Sequence, residues 1–188
     1  MTTLEAAPLS SKVFRQGFTI EAFAKLAPLW DNLQHRWTGI VSRTNSGKDA
    51  GKTEGDVNEP LAVLGFSPWG EVQFASFPDN LNDIVTSWSS PMNKDRWYHL
   101  AAVNDGHATR LYIDRYPARR DPVHNAKING ISVISKGTKI NDTGWSIGST
   151  TYDDRRKVFG GCIGEVRMVA RALAPQEFLI ARANAQSS

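Results

Sequence analysis

The stretch 96–114 constrains the fold more than any other. In Trp97-Tyr98-His99-Leu100-Ala101-Ala102-Val103, Trp97, His99, Ala101 and Val103 fall on one side and Tyr98, Leu100 and Ala102 on the other. Successive strand side chains point to opposite faces, so residues two apart share a side. Asn104-Asp105-Gly106 supplies residues that tolerate positive φ, as a tight reversal needs. Leu111 and Ile113 resume the alternation, with Arg110, Tyr112 and Asp114 opposite. The stretch predicts a β-hairpin.

The same alternation recurs along the chain. In 17–26, Phe18, Ile20, Ala22, Ala24 and Leu26 oppose Thr19, Glu21, Phe23 and Lys25, which predicts a strand with one buried face. Residues 37–43, 61–66, 71–77, 84–90, 130–134, 145–148 and 159–169 read as further strands. Ser67-Pro68-Trp69-Gly70 punctuates two of them as a turn, and 44–60 is a long polar loop. A single short helix is predicted over 174–182, because Pro175 and Glu177 suit a first helical turn. Many short strands with turn signals between them argue for an all-β, two-sheet antiparallel sandwich or jelly roll with one short C-terminal helix. We expect residues 1–16 to be an N-terminal extension or edge strand, 17–183 the domain and 184–188 a tail.

Composition narrows the class of function. The chain has 188 residues, 40% hydrophobic and 22% charged, which suits one globular domain. A net charge of +3 is mild, and the basic residues scatter apart from Arg119-Arg120 and Arg155-Arg156-Lys157. Nucleic-acid binders concentrate positive charge on one face, so no nucleic acid is expected. The start Met1-Thr2-Thr3-Leu4-Glu5 lacks the basic and apolar runs of a signal peptide. No apolar run approaches the about 20 residues that span a bilayer, so no membrane insertion is expected. The chain is expected to be cytoplasmic or a piece of a longer exported protein. Cys162, within an apolar run, reads as a buried inert thiol.

The ordered pieces resemble a known family. Residues 97–103 with Asp105-Gly106 and Leu111-Tyr112-Ile113-Asp114, together with Phe18-Thr19-Ile20-Glu21-Ala22-Phe23, Gly39-Ile40-Val41-Ser42-Arg43, Trp145-Ser146-Ile147-Gly148 and 161–173, resemble laminin-G-like, concanavalin A-like lectin/glucanase domains. The resemblance runs from about residue 17 to about residue 182, a one-domain length, and implies a jelly roll. Two positions depart from the family pattern. Arg115 follows Asp114 where the family usually has Gly, and Gly164 precedes Glu165 where many relatives carry an Asp that helps hold calcium. A hard cation needs several oxygen ligands, so calcium is left as a possible cofactor only. Lectins, adhesion modules and glucanases share this fold, so fold alone does not fix function.

Glycoside hydrolysis needs two carboxylates about 5–9.5 Å apart, and glucanases of this superfold place paired acids at alternate positions of one strand. No strand here has that spacing: Glu165 is followed by Arg167, and Glu71 by Gln73. No enzyme is predicted. Gly47-Lys48-Asp49-Ala50-Gly51-Lys52-Thr53 imitates a phosphate loop but is one residue short, and Pro60 ends a stretch unsuited to the helix such a site requires. Asp49, Glu54, Asp56 and Glu59 lack a calcium spacing. His35, His99, His107 and His124 lack a metal spacing, and His99 reads as a packed structural residue. Asn141-Asp142-Thr143 fits a glycosylation acceptor.

The six tryptophans carry the strongest binding signal. Trp97 and Trp145 fall in strand patterns and read as core. Trp69 lies at a turn, Trp88 on a polar strand among Thr86, Ser87, Ser89 and Ser90, and Trp30 in a loop. An aromatic face stacks on the C–H face of a sugar while neighbouring polar groups read the hydroxyls; the alternative is that these rings lid the core, favoured for Trp30. The candidate ligand-binding set is Trp69, Trp88, Trp30, Arg119, Tyr152 and Asp153. The expected function is non-catalytic recognition, with carbohydrate as first ligand class. A protein partner stands second, and an accessory domain of a hydrolase third. An extracellular or cell-surface setting within a larger precursor is expected.

Overall fold

The computed structural model describes residues 9–43, 60–81, 84–118, 127–128, 131–132, 134–140, 144–152 and 155–180. Two five-stranded antiparallel sheets pack face to face. The first, here the back sheet, has the order β14-β1-β6-β7-β8. It is built from β1 (Phe18–Leu26), β6 (Trp97–Asn104), β7 (Thr109–Ile113), β8 (Tyr116–Pro117) and β14 (Gly161–Val169). The second, the front sheet, has the order β11-β2-β3-β4-β5. Its strands are β2 (Thr38–Arg43), β3 (Ala62–Phe66), β4 (Glu71–Ser76), β5 (Val85–Pro91) and β11 (Trp145–Ile147). Two small hairpins complete the described strands: β9 (Lys127–Ile128) with β10 (Ile131–Ser132), and β12 (Ser149–Tyr152) with β13 (Arg155–Val158).

The predicted alternation decides which side chains fill the space between the sheets. Phe18, Ile20, Ala22, Ala24 and Leu26 of β1 and Tyr98, Leu100 and Ala102 of β6 meet Leu64, Phe66, Val72 and Phe74 of the front sheet in one core. Burying a side chain of this size contributes about 1.5–3 kcal/mol, and aromatic edge contacts such as Phe14–Phe18 at 5.9 Å add to it. The other side of the central hairpin packs elsewhere. Ala101, Val103 and Tyr112 join Leu173 and Phe178 of the C-terminal segment in a second cluster.

Three expectations are corrected. The helix predicted over 174–182 is a single 3₁₀ turn, Pro175–Glu177, among the described residues. It stops because Phe178 turns extended, with ψ 156°, and packs against Tyr112 and His99. Trp97 is 47% exposed, because it lies on the outer side of the back sheet with the Lys25 ammonium 6.0 Å from its ring; Trp145 is buried as expected. Cys162 is exposed: it pairs with Lys25 on the edge strand β14, where the sheet ends. Residues 9–14 form turns and irregular chain. They are anchored by the Arg43 guanidinium donating to the Ser10 carbonyl and by Phe14 edge-on to Trp145.

At the tip of β7, Asp114 and Arg115 both have positive φ, 50° and 71°. The reversal thus demands at position 115 the conformation that glycine adopts freely.

Candidate functional site

The outward side of the front sheet is built from residues that alternate with the core. Strand register sets Gly39, Gly65, Gln73 and Trp88 side by side across β2 to β5. A second row, Ser146, Ser42, Val63, Ala75 and Thr86, lies beyond it. Between them runs a core row with Ile147, Val41, Leu64 and Phe74. None of the outward side chains in the two rows carries a charge. Gln73, Ser42, Val63, Ala75 and Thr86 are largely buried, so they form a floor, while Trp88 is half-buried.

Trp88 stands against Trp37, edge to face, with centroids 6.1 Å apart and planes at 68°. Trp37 directly precedes β2 and holds φ at 57°, a conformation that costs a bulky residue on the order of 1–3 kcal/mol. The indole N–H of Trp88 is shielded and meets no acceptor among the described residues. A buried donor without a partner loses its hydration without return.

One end of this face is closed by the β12–β13 hairpin. Gly148, with φ 79°, turns the chain out of β11 and over β2. Ser42 Oγ there donates to the Ser149 carbonyl at 2.7 Å. A Cβ placed on Gly39 would lie 3.0 Å from Thr150 Cβ, so a side chain at 39 would press the hairpin back by a few tenths of an ångström. Thr150 is buried, and its hydroxyl also lacks a partner.

The candidate residues separate. Trp88 is on the front face. Trp69 is 64% exposed on the β3–β4 turn, whose shape is held by Ser67 Oγ, which accepts the Trp69 N–H and donates to Glu71 Oε2. The ring contact of Trp88 is with Trp37, not with Trp69. Trp30 is 3% exposed, stacked on His35 at 6.0 Å and close under Gly70; it is a core residue, as the lid alternative holds. Tyr152 ends β12, opposite Arg155. Arg119 and Asp153 lie outside the described residues, as do His124, the loop 44–59 and the triplet 141–143. Gln73 and Trp37 were missed by reasoning from the sequence. The signal for Gln73 was its polar position between Val72 and Phe74; nothing local marks Trp37.

The outward side of the back sheet is chemically different. Glu21 is fully buried and accepts hydrogen bonds from His99 Nε2 at 2.8 Å, Arg167 Nε at 2.6 Å and the Leu179 N–H at 2.9 Å. Burial raises its pKa, but the bonds from His99, Leu179 and Arg167 outweigh that and hold the carboxyl below its ordinary value. The His99 ring sits between Phe23 and Phe178, at 5.2 and 5.4 Å, as the packed structural histidine expected. Among the described residues no three His, Cys, Asp or Glu side chains converge as a metal site, and no helix is long and apolar enough to cross a membrane.

Solved structures share this architecture. The carbohydrate-binding module CBM40 of the Ruminococcus gnavus IT-sialidase matches with a TM-score of 0.62 at 16% identity, over 94% of this chain and 88% of that one. A candidate carbohydrate-binding protein of Bacteroides ovatus matches with a TM-score of 0.54 at 18% identity, over 88% of this chain and 40% of that one. Trypanosoma rangeli sialidase matches with a TM-score of 0.52 at 13% identity, over 87% of this chain but only 22% of the enzyme's length. At such identities the likeness is one of fold. No curated protein matches the sequence. The profile of the concanavalin A-like lectin/glucanases superfamily matches residues 3–178, in keeping with the strand order, the register and the two-layer core, and the chain belongs to that superfamily.

Proposed function

We propose that this chain is a non-catalytic carbohydrate-recognition module whose ligand lies on the outward side of the front sheet. The observation that carries this reading is the polar floor of Gln73 and Thr86 beside the half-buried Trp88, whose N–H has no acceptor among the described residues. A pyranose ring stacked on the indole would bury its C–H face, and its hydroxyls would meet the Gln73 amide and the Thr86 hydroxyl. The R. gnavus module of the same fold has been solved bound to α2,3-sialyllactose, which supports a sugar as ligand class. Among the described residues no acid pair stands on this face, and binding without hydrolysis is the activity it suits. We place it outside the cell, as one domain of a larger protein, a hydrolase or an adhesin. A glycan array tests the reading: wild-type protein binds at least one saccharide class, and Trp88→Ala, with its fold intact by circular dichroism, loses that signal. Unchanged binding by the variant removes this face from consideration.

A protein partner is the second reading. Leu29 and Leu33 are highly exposed in the loop that carries Trp30, and the exposed Trp69 adjoins Gly70 directly above Trp30. These three apolar side chains on two adjoining loops suit a protein contact. Leu33→Asp would abolish such a contact in a pull-down and leave glycan binding unchanged.

A further inference from the structure

We infer that the β12–β13 hairpin is the specificity element of the glycan face, and that Lys157 on it selects saccharides carrying an anionic group, a carboxylate or a sulfate ester. The inference rests on the carbohydrate reading above and names the ligand class for the same face.

The two rows of the front sheet supply stacking, amide and hydroxyl groups but no charge. Next to these rows the one acid on β4, Glu71, is buried and takes a hydrogen bond from Ser67, and among the described residues positive charge comes to the face where the hairpin crosses. Thr150 faces the sheet, as its close approach to Gly39 shows. Register pairs Thr150 with Lys157 and Thr151 with Arg156. Directly paired residues lie on one side of a hairpin, so Lys157 shares the side of Thr150 turned toward β2, and Arg156 takes the opposite, solvent side. Lys157 is half-buried and Arg156 exposed, as that assignment requires.

Neither cation has an acidic partner among the described residues. Elsewhere the described cations near acids are paired: Lys25 with Asp95, Arg96 with Asp114 and Arg171 with Glu177. Beside Lys157 the Thr150 hydroxyl is buried and unpartnered. An ammonium and a free hydroxyl on one side of the hairpin form a donor pair for an oxyanion, and a charge-assisted hydrogen bond in a partly desolvated place is stronger than a neutral one. A neutral sugar would leave both donors unused.

The test uses lactose, 3′-sialyllactose and 3′-sulfolactose as probes, measured by calorimetry on the full chain at low and high salt. Wild-type protein is expected to bind one or both charged probes about tenfold more tightly than lactose, the worth of one charge-assisted hydrogen bond, with the preference shrinking as salt rises. The comparison of sialyl and sulfo arms tells carboxylate from sulfate. Lys157→Gln should lose the preference for the charged probes over lactose. Equal binding of all three probes by the wild type overturns the inference and leaves the carbohydrate reading standing. A preference that survives in Lys157→Gln also overturns it. If the wild type binds none of the probes and no saccharide on the array, the carbohydrate reading itself falls.

Discussion

The two sheets of this sandwich treat their outward sides in opposite ways. The back sheet closes its own. Residues 171–180 run across it: Leu173 and Phe178 pack on Ala101, Val103 and Tyr112. Thr19 Oγ accepts the Leu173 N–H, and Glu21 accepts the Leu179 N–H. The three donors that reach Glu21 are satisfied by it, although His99 Nδ1 has no partner among the described residues. The two outward rows of the front sheet have no charged residue, and the Trp88 N–H there and the Thr150 hydroxyl of the crossing hairpin have no partner among the described residues. Buried polar groups are ordinarily paired; the back face is covered by the chain's own C-terminal segment, and under the proposed function a ligand would cover the front one.

The largest effect should come from the closed face. Glu21→Gln removes the anion that Arg167, His99 and Leu179 share and should cost about 3 kcal/mol, read as a lowered midpoint in urea denaturation. Glycan affinity of the folded variant should not change; if it falls in step with stability, the two faces are not independent. Next in size, Trp88→Ala should weaken glycan binding about thirtyfold, near the value of a buried aromatic anchor, while moving the urea midpoint little.

The same carboxylate sets an acid limit. Its folded pKa lies below the ordinary 4.5. The stabilisation it gives is therefore full above the unfolded value and is lost as pH falls through the folded one. Stability measured by thermal melts should decline below about pH 4.5 in the wild type, and Glu21→Gln should flatten that decline. A parallel decline in the variant would assign the acid sensitivity to other groups. The smallest effect is expected at the β7–β8 reversal. Arg115→Gly relieves a φ of 71° but forfeits a long hydrogen bond of 3.4 Å from Arg115 to the Phe178 carbonyl. A net gain of about 0.5–1 kcal/mol should appear as a slightly higher melting temperature, and a loss would show that this bond holds the C-terminal segment down.

The back sheet was readable in the sequence because its strands are long and alternate strictly, as Phe18 to Leu26 and Trp97 to Val103 do. The sides of Tyr98, Leu100 and Ala102 followed from spacing alone. The 3₁₀ turn at Pro175–Glu177 did not, since what ends it is the pull of Phe178 into a remote cluster. Exposure was likewise not local: Trp97 and Trp145 sit in similar patterns, yet one faces outward and the other is core. The β12–β13 hairpin was missed because Thr150-Thr151-Tyr152 and Arg155-Arg156-Lys157 offer no apolar face to count. The front face was half-visible. A tryptophan among serines and threonines marked Trp88, but its neighbours Gln73 and Trp37 come from register across separate strands, which spacing along one strand does not encode.

The pairing of Thr19 with Val169 bears on how the molecule is made. β1 lies between β6 and β14, so the first strand of the domain keeps one open flank until the last has left the ribosome. Ladders that join such distant parts of a chain form slowly, and an unpaired flank invites association with another copy. Synthesis of this domain is thus a race between closing that flank and clumping, and a chaperone that shields 18–26 during translation should raise the yield of active protein.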